Sequence, residues 1–445
     1  MNANRPWKWI ALLVFLLGLV YASVEWKSSQ ALRNAYRALE KDGRPLKPEQ
    51  VVPPPIPDSD NAALLYQAAV LRLKAAPAAG STNLFQRLDD LAKNLAGGEP
   101  AEADRAEFDR LMADPVCREA LSLVRQGTDR RGCRYPLDYA KGAAMELPHL
   151  SAMRGLSRIL CAQARNQAAR GDLSGGWETV LVSLRLASAL QSEPTLISYL
   201  VRISQYQASL AVIADVARRG LPSEAQAAAI APFLTDNDEG RLLASALDAE
   251  RILLGEWAFA LAPGELQQVL FSESTAGSSR VENVFFMFLR LTPVWNFDHA
   301  AYLSLMQQYT RRAMALDEPV ERFGNDSEID QFPRYCVLTR LLLPALGKVR
   351  MRAVTLVAEK RITVAGLDLL QYRKAHGAFP VTLGEEGNTN RTDPFTGKPL
   401  RYQPLGDGFL LYSVGPNLTD DGGSREKGVD GPPWISSGAS STTCR

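Results

Sequence analysis

Few residues of this chain are of types that do chemistry, and the densest group lies near the C-terminus. Asn417, Asp420 and Asp421 fall within five residues, and Gly422 and Gly423 follow them. Hard cations such as Ca²⁺ take several oxygens from carboxylates, amides and backbone carbonyls on a chain free to bend. Asn, Asp and Gly are equally the ordinary residues of a surface turn, so composition permits a cation loop or a plain turn. Elsewhere the material is thinner. His149 follows Pro148 and reads as a surface or capping residue. His299, between Asp298 and an apolar helix pattern, reads as a satisfied, partly buried histidine. His376 sits where a helix should end, with a cationic side chain suited to the negative end of the helix dipole.

The five cysteines, Cys117, Cys133, Cys161, Cys336 and Cys444, form no CxxC and no Cys/His cluster, so a zinc site is not indicated. Cys161 and Cys336 lie in apolar helical contexts and read as core. Cys117 and Cys133 flank the turn-containing stretch VRQGTDRRG and are a disulfide candidate in an oxidising compartment. Arg130 and Arg131, beside Arg134, read as an anion grip or a solvated basic turn, and the neighbouring acids Glu385 and Glu386 as solvated. The chain has no GxSxG, HExxH, GxxxxGK[ST] or strand–GxGxxG–helix pattern, so no catalytic residue is assigned.

The elements that would hold these residues are mostly helical. Of 445 residues, 46% are hydrophobic and 22% charged, with a net charge of +1. That balance lacks the cationic excess of a nucleic-acid surface. Arg5 and Lys8 precede the uncharged run Trp9–Val24, and a helix over Trp7–Val24 would be about 27 Å long, close to a bilayer core. Trp7, Trp9, Tyr21 and Trp26 flank it as interfacial aromatics do. Val20-Tyr21-Ala22 also fits a signal-peptide cleavage site, but the flanking tryptophans and the helical pattern continuing past Ala31 favour an uncleaved anchor. Either reading exports the bulk of the chain.

Residues 1–40 are therefore expected to be anchor and juxtamembrane helix. Residues 41–60, with Pro45, Pro48, Pro53, Pro54, Pro55 and Pro57, should form either an extended spacer or a strap packed on the body. Asp58, Ser59 or Asp60 would cap the helix that follows. Residues 61–345 read as a helical domain, in which Leu196–Ala217, apolar on most faces, should be a central helix. Met153–Ala164 and Trp177–Ser188 should pair as an αα-hairpin. The polar segment 271–283 reads as a loop. The stripe Val354, Ala358, Ile362, Ala365, Leu369, Tyr372 predicts a helix from about Leu346 to His376, ended by Gly377 and Pro380. Its charged residues, among them Arg350, Glu359, Lys360 and Arg361, are expected in solvent. Pro399–Gln403 and Gly408–Ser413 predict an antiparallel hairpin about Leu405-Gly-Asp-Gly, and 432–445 a tail. The fold class expected is mainly α, with a transmembrane helix, a helical bundle or αα-hairpin domain and a small helix-plus-hairpin end.

This last region, 346–431, resembles the C-terminal half of the major pseudopilins of type II secretion. The likeness rests on a long helix ending in HGAFP, on DPFTGKPLRY (family pattern Asp-Pro-Trp-Gly-x-Pro-x-x-Tyr) and on LLYSVGPN (family pattern LYSLGAD). It departs from the family in having its helix deep inside the chain, without a prepilin cleavage motif, so the chain is not an ordinary pilin subunit. The resemblance implies Ca²⁺ in the terminal loop, with the Val414 carbonyl and Asn417 as ligands. The family's later acids align without gaps to Ser424 and Arg425, so Asp420 and Asp421 would replace them and Asp430 could fold back. The remainder resembles membrane-anchored helical proteins of envelope-rich bacteria, which implies no activity. The function expected is a single-pass structural or interaction protein of the bacterial inner membrane, mostly periplasmic, with envelope or secretion-system proteins as partners. The alternatives are an extracytoplasmic hydrolase with an acidic site assembled in three dimensions and a helical-repeat peptide binder.

Overall fold

The computed structural model describes residues 6–78, 83–97, 101–262, 265–266, 287–316, 318–320, 333–342, 346–384, 391–420 and 422–423. The chain is mainly helical. It opens with a long apolar helix and closes on a small β-hairpin.

Helix α1 (Pro6–Lys41) runs without a break through two environments. From Trp7 to Val24 its side chains are exposed, Trp9 and Phe15 by more than 60%, whereas Ala35 and Leu39 are buried in the body. It alone among the described helices is long and apolar enough to cross a membrane, its most apolar 18 residues having mean hydropathy 1.9.

The proline-rich stretch after α1 is a strap. Val51 and Val52 pack on Ile252 and Leu253, and the carbonyls of Pro45 and Pro53 accept from Arg251 and Arg134. Prolines donate no backbone N–H but keep their carbonyls, and these dock the segment. The next helix, α2 (Ala62–Ala75), is capped by Asn61, whose side chain accepts from the Ala63 N–H, and not by the preceding Asp58–Asp60.

Two cores divide the body. The first half packs α2, α3 (Leu84–Leu95), α4 (Glu102–Met112), α5 (Pro115–Thr128) and part of α6 (Pro148–Ala169) around Tyr66, Leu88, Leu91, Phe108 and Met153. The larger core joins the other side of α6 and α7 (Leu173–Ser188) to α8 (Leu196–Ala217), α9 (Glu224–Leu234) and α10 (Glu239–Glu250). α10 continues through one π turn, Arg251–Glu256, into α11 (Trp257–Ala260). α12 (Pro293–Met314) lies along α1, α13 (Val337–Leu342) packs on α12, and α14 (Leu346–His376) packs on α8. Phe395, Leu400, Phe409 and Leu411 of the C-terminal region belong to this same core. The boundary expected near residue 345 therefore coincides with no break in packing, and the two cores meet instead at α6–α8.

The C-terminal elements fall where their sequence places them. α14 ends at His376 before Gly377, whose φ of +76° is the left-handed cap conformation. Strands β1 (Arg401–Leu405) and β2 (Gly408–Tyr412) pair antiparallel across Gly406-Asp407. The apolar stripe of α14 is buried from Val354 to Leu369. Its charges are divided: Lys348, Arg352 and Lys374 are exposed as expected, but Arg350, Glu359, Lys360 and Arg361 are buried. Where the helix packs against α8, α10, α9 and β2, these charges persist only by pairing.

Candidate functional site

That pairing gives the first of three buried polar centres. Glu239, the first residue of α10, accepts two hydrogen bonds of 2.9 Å from Arg202 and one of 2.7 Å from Lys360. Lys360 also donates to the Thr235 carbonyl. The Tyr206 ring lies 4.8 Å from both cations. Burial alone would raise the Glu239 pKa, but Arg202 and Lys360 outweigh it and hold it at about 2. Both carboxylate oxygens are taken by cations and all three side chains are about 3% exposed or less. This centre is a structural clamp between α8, α10 and α14.

The second centre joins His149 and Glu193, 2.9 Å apart and buried. His149 is not at the surface: its ring stacks on Tyr135 with centroids 3.9 Å apart, at the wall of a cavity of about 490 Å³. Ser198 donates to the Glu193 carboxylate from the other side. A serine nucleophile needs the histidine as its neighbour. Here the acid stands between them and Ser198 is fully buried, so this is a satisfied network and not a triad.

The third centre is open. Glu256 is the last residue of the π turn, a rare geometry that shifts side-chain register within a helix. The turn approaches α12 closely enough that a Cβ on Gly255 would lie 2.1 Å from the Tyr302 hydroxyl, so only glycine fits. One oxygen of Glu256, Oε2, receives the Tyr36 hydroxyl at 2.8 Å and His299 Nε2 at 3.1 Å. The other, Oε1, is buried without a hydrogen-bond partner among the described residues. His299 is held flat on Phe259, centroids 4.2 Å apart. Burial pushes the Glu256 carboxyl upward, but the hydrogen bond and charge of His299, then Tyr36 and Arg251, bring it below its ordinary value. Behind it, burial raises Glu250 to about 7, and it raises Asp248 against the opposing pull of Arg251 and Arg44. Arg251 is fully buried. It donates to the Pro45 carbonyl and to Asp248, while its Nε and Nη1 have no partner among the described residues.

Glu256 and Tyr36 face a cavity of about 810 Å³ whose opposite wall is the proline strap with Arg134 and Tyr139. An ionised carboxylate fixed through one oxygen, with the other unpartnered among the described residues and a histidine beside it, can accept a proton or orient a cationic or hydroxylic ligand. A larger groove of about 830 Å³ between α9 and α14 is mainly apolar, and of the charged groups that line it Arg361 and Asp236 are tied to each other at 2.6 Å and Asp368 to Arg391 at 3.2 Å. The third centre is therefore the better candidate for chemistry.

The described residues of the expected metal loop are bonded to their neighbours. The Val414 N–H donates to Asp393, and the Asn417 side chain accepts from the Thr419 N–H. Asp420 receives Tyr412 and the Gly422 N–H on one oxygen and pairs with Arg401 at 3.0 Å on the other. These residues hold one another, and a cation would have to displace Arg401 from Asp420. No group of three metal-ligating side chains occurs among the described residues. Asp421 and Asp430 lie outside the described residues, as do Ser424, Arg425, Arg5, Glu385, Glu386, Cys444 and the segment 271–283. Asp393, passed over in the sequence, anchors this end: buried at 1% exposure, it accepts from Phe395, Ser413 and Val414 and so ties the DPFTG turn to the end of β2.

Cys117 and Cys133 are free, buried thiols, so the candidate bridge is not formed in this structure. Burial pushes both to about 12, which leaves them unreactive. Arg130 and Arg131 are exposed, while Arg134 is docked on the strap.

Compared with family models, curated proteins and solved structures, the chain matches none. The functional reading therefore rests on the residues themselves. Glu256 was missed because its partners, Tyr36 and His299, are 220 and 43 residues away. The only local sign was the glycine before it in a run of helix formers.

Proposed function

We propose that the chain is a single-pass, membrane-anchored interaction protein of the bacterial envelope, held on the outer face of the inner membrane by α1, whose cleft beside Glu256 receives a ligand. The observation that carries this reading is the continuity of α1: its exposed apolar half and its buried half are one helix, so the anchor is part of the body's core. Tyr36 lies 12 residues beyond Val24, about 18 Å further along the helix, which holds the cleft clear of the lipid and open to the periplasm. The helix-and-hairpin end is the proposed docking face for an envelope partner, in the manner its pseudopilin likeness implies. The exposed side of β1 supports this assignment. Carbonate washing of membranes followed by protease treatment from the periplasmic side tests the anchor: the protein should stay in the pellet and be digested. Release as a soluble species beginning near Ser23 would show a cleaved leader.

A second reading, an anchored hydrolase, is favoured by one observation, the Oε1 of Glu256 that has no hydrogen-bond partner among the described residues, beside His299. On this reading Glu256→Gln abolishes turnover of whatever ester, amide or glycoside the purified protein cleaves, without lowering its melting temperature by more than a few degrees. Undiminished turnover in that variant would remove Glu256 from the chemistry.

A further inference from the structure

Beyond the span of α1, the body carries a second apolar surface at the same level. Met287, Phe288 and Leu291 are 50%, 64% and 70% exposed, and their spacing puts all three on one side of a single helical turn. Isolated exposed apolar residues need no explanation, but three within five residues form a patch. Its position is fixed against α1. The Tyr21 hydroxyl donates to the Leu291 carbonyl at 3.0 Å, and Asn296 donates to Ser28 at 3.4 Å. Further on, Arg311 pairs with Asp42. α12 therefore runs parallel to α1, away from the anchor, and residues 287–291 lie at its anchor-proximal end. Arg290 fastens the patch to the body by donating to the carbonyls of Leu261 and Ala260 and lying over Trp295.

Depth follows from the helix. If α1 crosses the hydrocarbon core over Trp7–Val24, Tyr21 lies three residues, about 4.5 Å, inside its outer edge, and the Leu291 carbonyl hydrogen-bonded to it lies at that depth. We infer that Met287, Phe288 and Leu291 insert into the outer acyl region of the bilayer that α1 crosses, giving the body a second membrane contact that fixes its rotation about the anchor. Trp26, exposed beside the patch level, suits the headgroup layer. The occupant proposed is lipid and not another protein, because the patch is continuous with the spanning surface of α1. This inference rests on the anchored reading above.

The test uses the full chain in a Cys444→Ser background, whose remaining four cysteines are buried. Single cysteines at Leu13, Phe288 and the 77% exposed Val381 are labelled with an environment-sensitive fluorophore. Each protein is then reconstituted into phosphatidylcholine–phosphatidylglycerol vesicles containing acyl chains spin-labelled near or far from the headgroup. The expected result is loss of emission at position 288 with the shallow quencher, at 13 with the deep one, and at 381 with neither. If 13 is quenched but 288 behaves like 381, the anchor stands and the lipid contact is overturned. Emission at 288 that is blue-shifted but insensitive to both quenchers would mean a protein surface covers the patch, which also overturns it. If 13 itself escapes quenching, the anchored reading fails and the inference falls with it.

Discussion

Glu239 is a fully buried acid beside buried cations and Glu256 a half-buried one beside a histidine, and their surroundings assign them opposite roles. Glu239 accepts from Arg202 and Lys360 on both oxygens and is almost wholly buried. Glu256 accepts from Tyr36 and His299 on one oxygen, lines a cavity, and has no partner among the described residues for its other, buried oxygen. The first arrangement can only be broken; the second can still accept something. A further difference lies in where the partners come from. The clamp draws only on the body, whereas the open centre takes Tyr36 from the helix whose other half is the exposed apolar span, so its geometry depends on α1 being seated.

The largest effect that would test this contrast is in the clamp. Glu239→Gln leaves two buried cations undercompensated and should cost about 3–5 kcal/mol in chemical denaturation at neutral pH. Acid should act in the same direction. Because the Glu239 pKa is depressed, its contribution is present above about 4.5 and is lost as pH falls towards 2. Glu250 has the opposite sign. Its carboxyl is raised from the ordinary 4.5 to about 7, so the folded state holds the proton more tightly and stability declines as pH rises between those values. At about 1.4 kcal/mol per pH unit the decline approaches about 3.5 kcal/mol. Glu250→Gln should flatten it, which denaturation curves at pH 5 and pH 8 would read. Glu256→Gln keeps a hydrogen-bonding group against Tyr36 and His299 and should cost only about 1 kcal/mol. Equal penalties for Glu239→Gln and Glu256→Gln would dissolve the distinction between clamp and open site. The smallest expected effect is none: with Cys117 and Cys133 free and buried, reductant should leave the melting temperature unchanged, and both thiols should label only after unfolding. A bridged 117–133 peptide in non-reducing maps would overturn that expectation.

Local pattern carried much of the architecture. The limits of α8 and α14, the stop at Gly377 and the hairpin about Gly406-Asp407 were legible because periodicity, caps and turn residues act over a few positions. The exposed span of α1 was legible for the same reason. What pattern could not supply was depth. Arg350, Glu359, Lys360 and Arg361 look like a solvated face until α10 and α8 are placed against them, because partners such as Glu239 and Gln207 come from distant helices. His149 reads as a cap until Tyr135 and Glu193 enclose it. The strap was undecided because proline density specifies stiffness and not what the carbonyls dock on. The open centre was invisible for a related reason: nothing near Glu256 in the sequence announces a π turn, and its partners converge only when α1 and α12 lie side by side.

The account stands or falls on α1 serving both membrane and core, and two truncations measure that directly. Deleting residues 1–24 removes, among the described side chains, only exposed ones, while deleting 1–41 also removes Ala35, Leu39 and the Tyr36 hydroxyl from the body. Thermal unfolding in detergent-free buffer should show a cooperative transition for the shorter deletion and its loss for the longer one. Equal melting temperatures for the two truncations would contradict the account, because the second half of α1 would then be a detachable stalk and not part of the core.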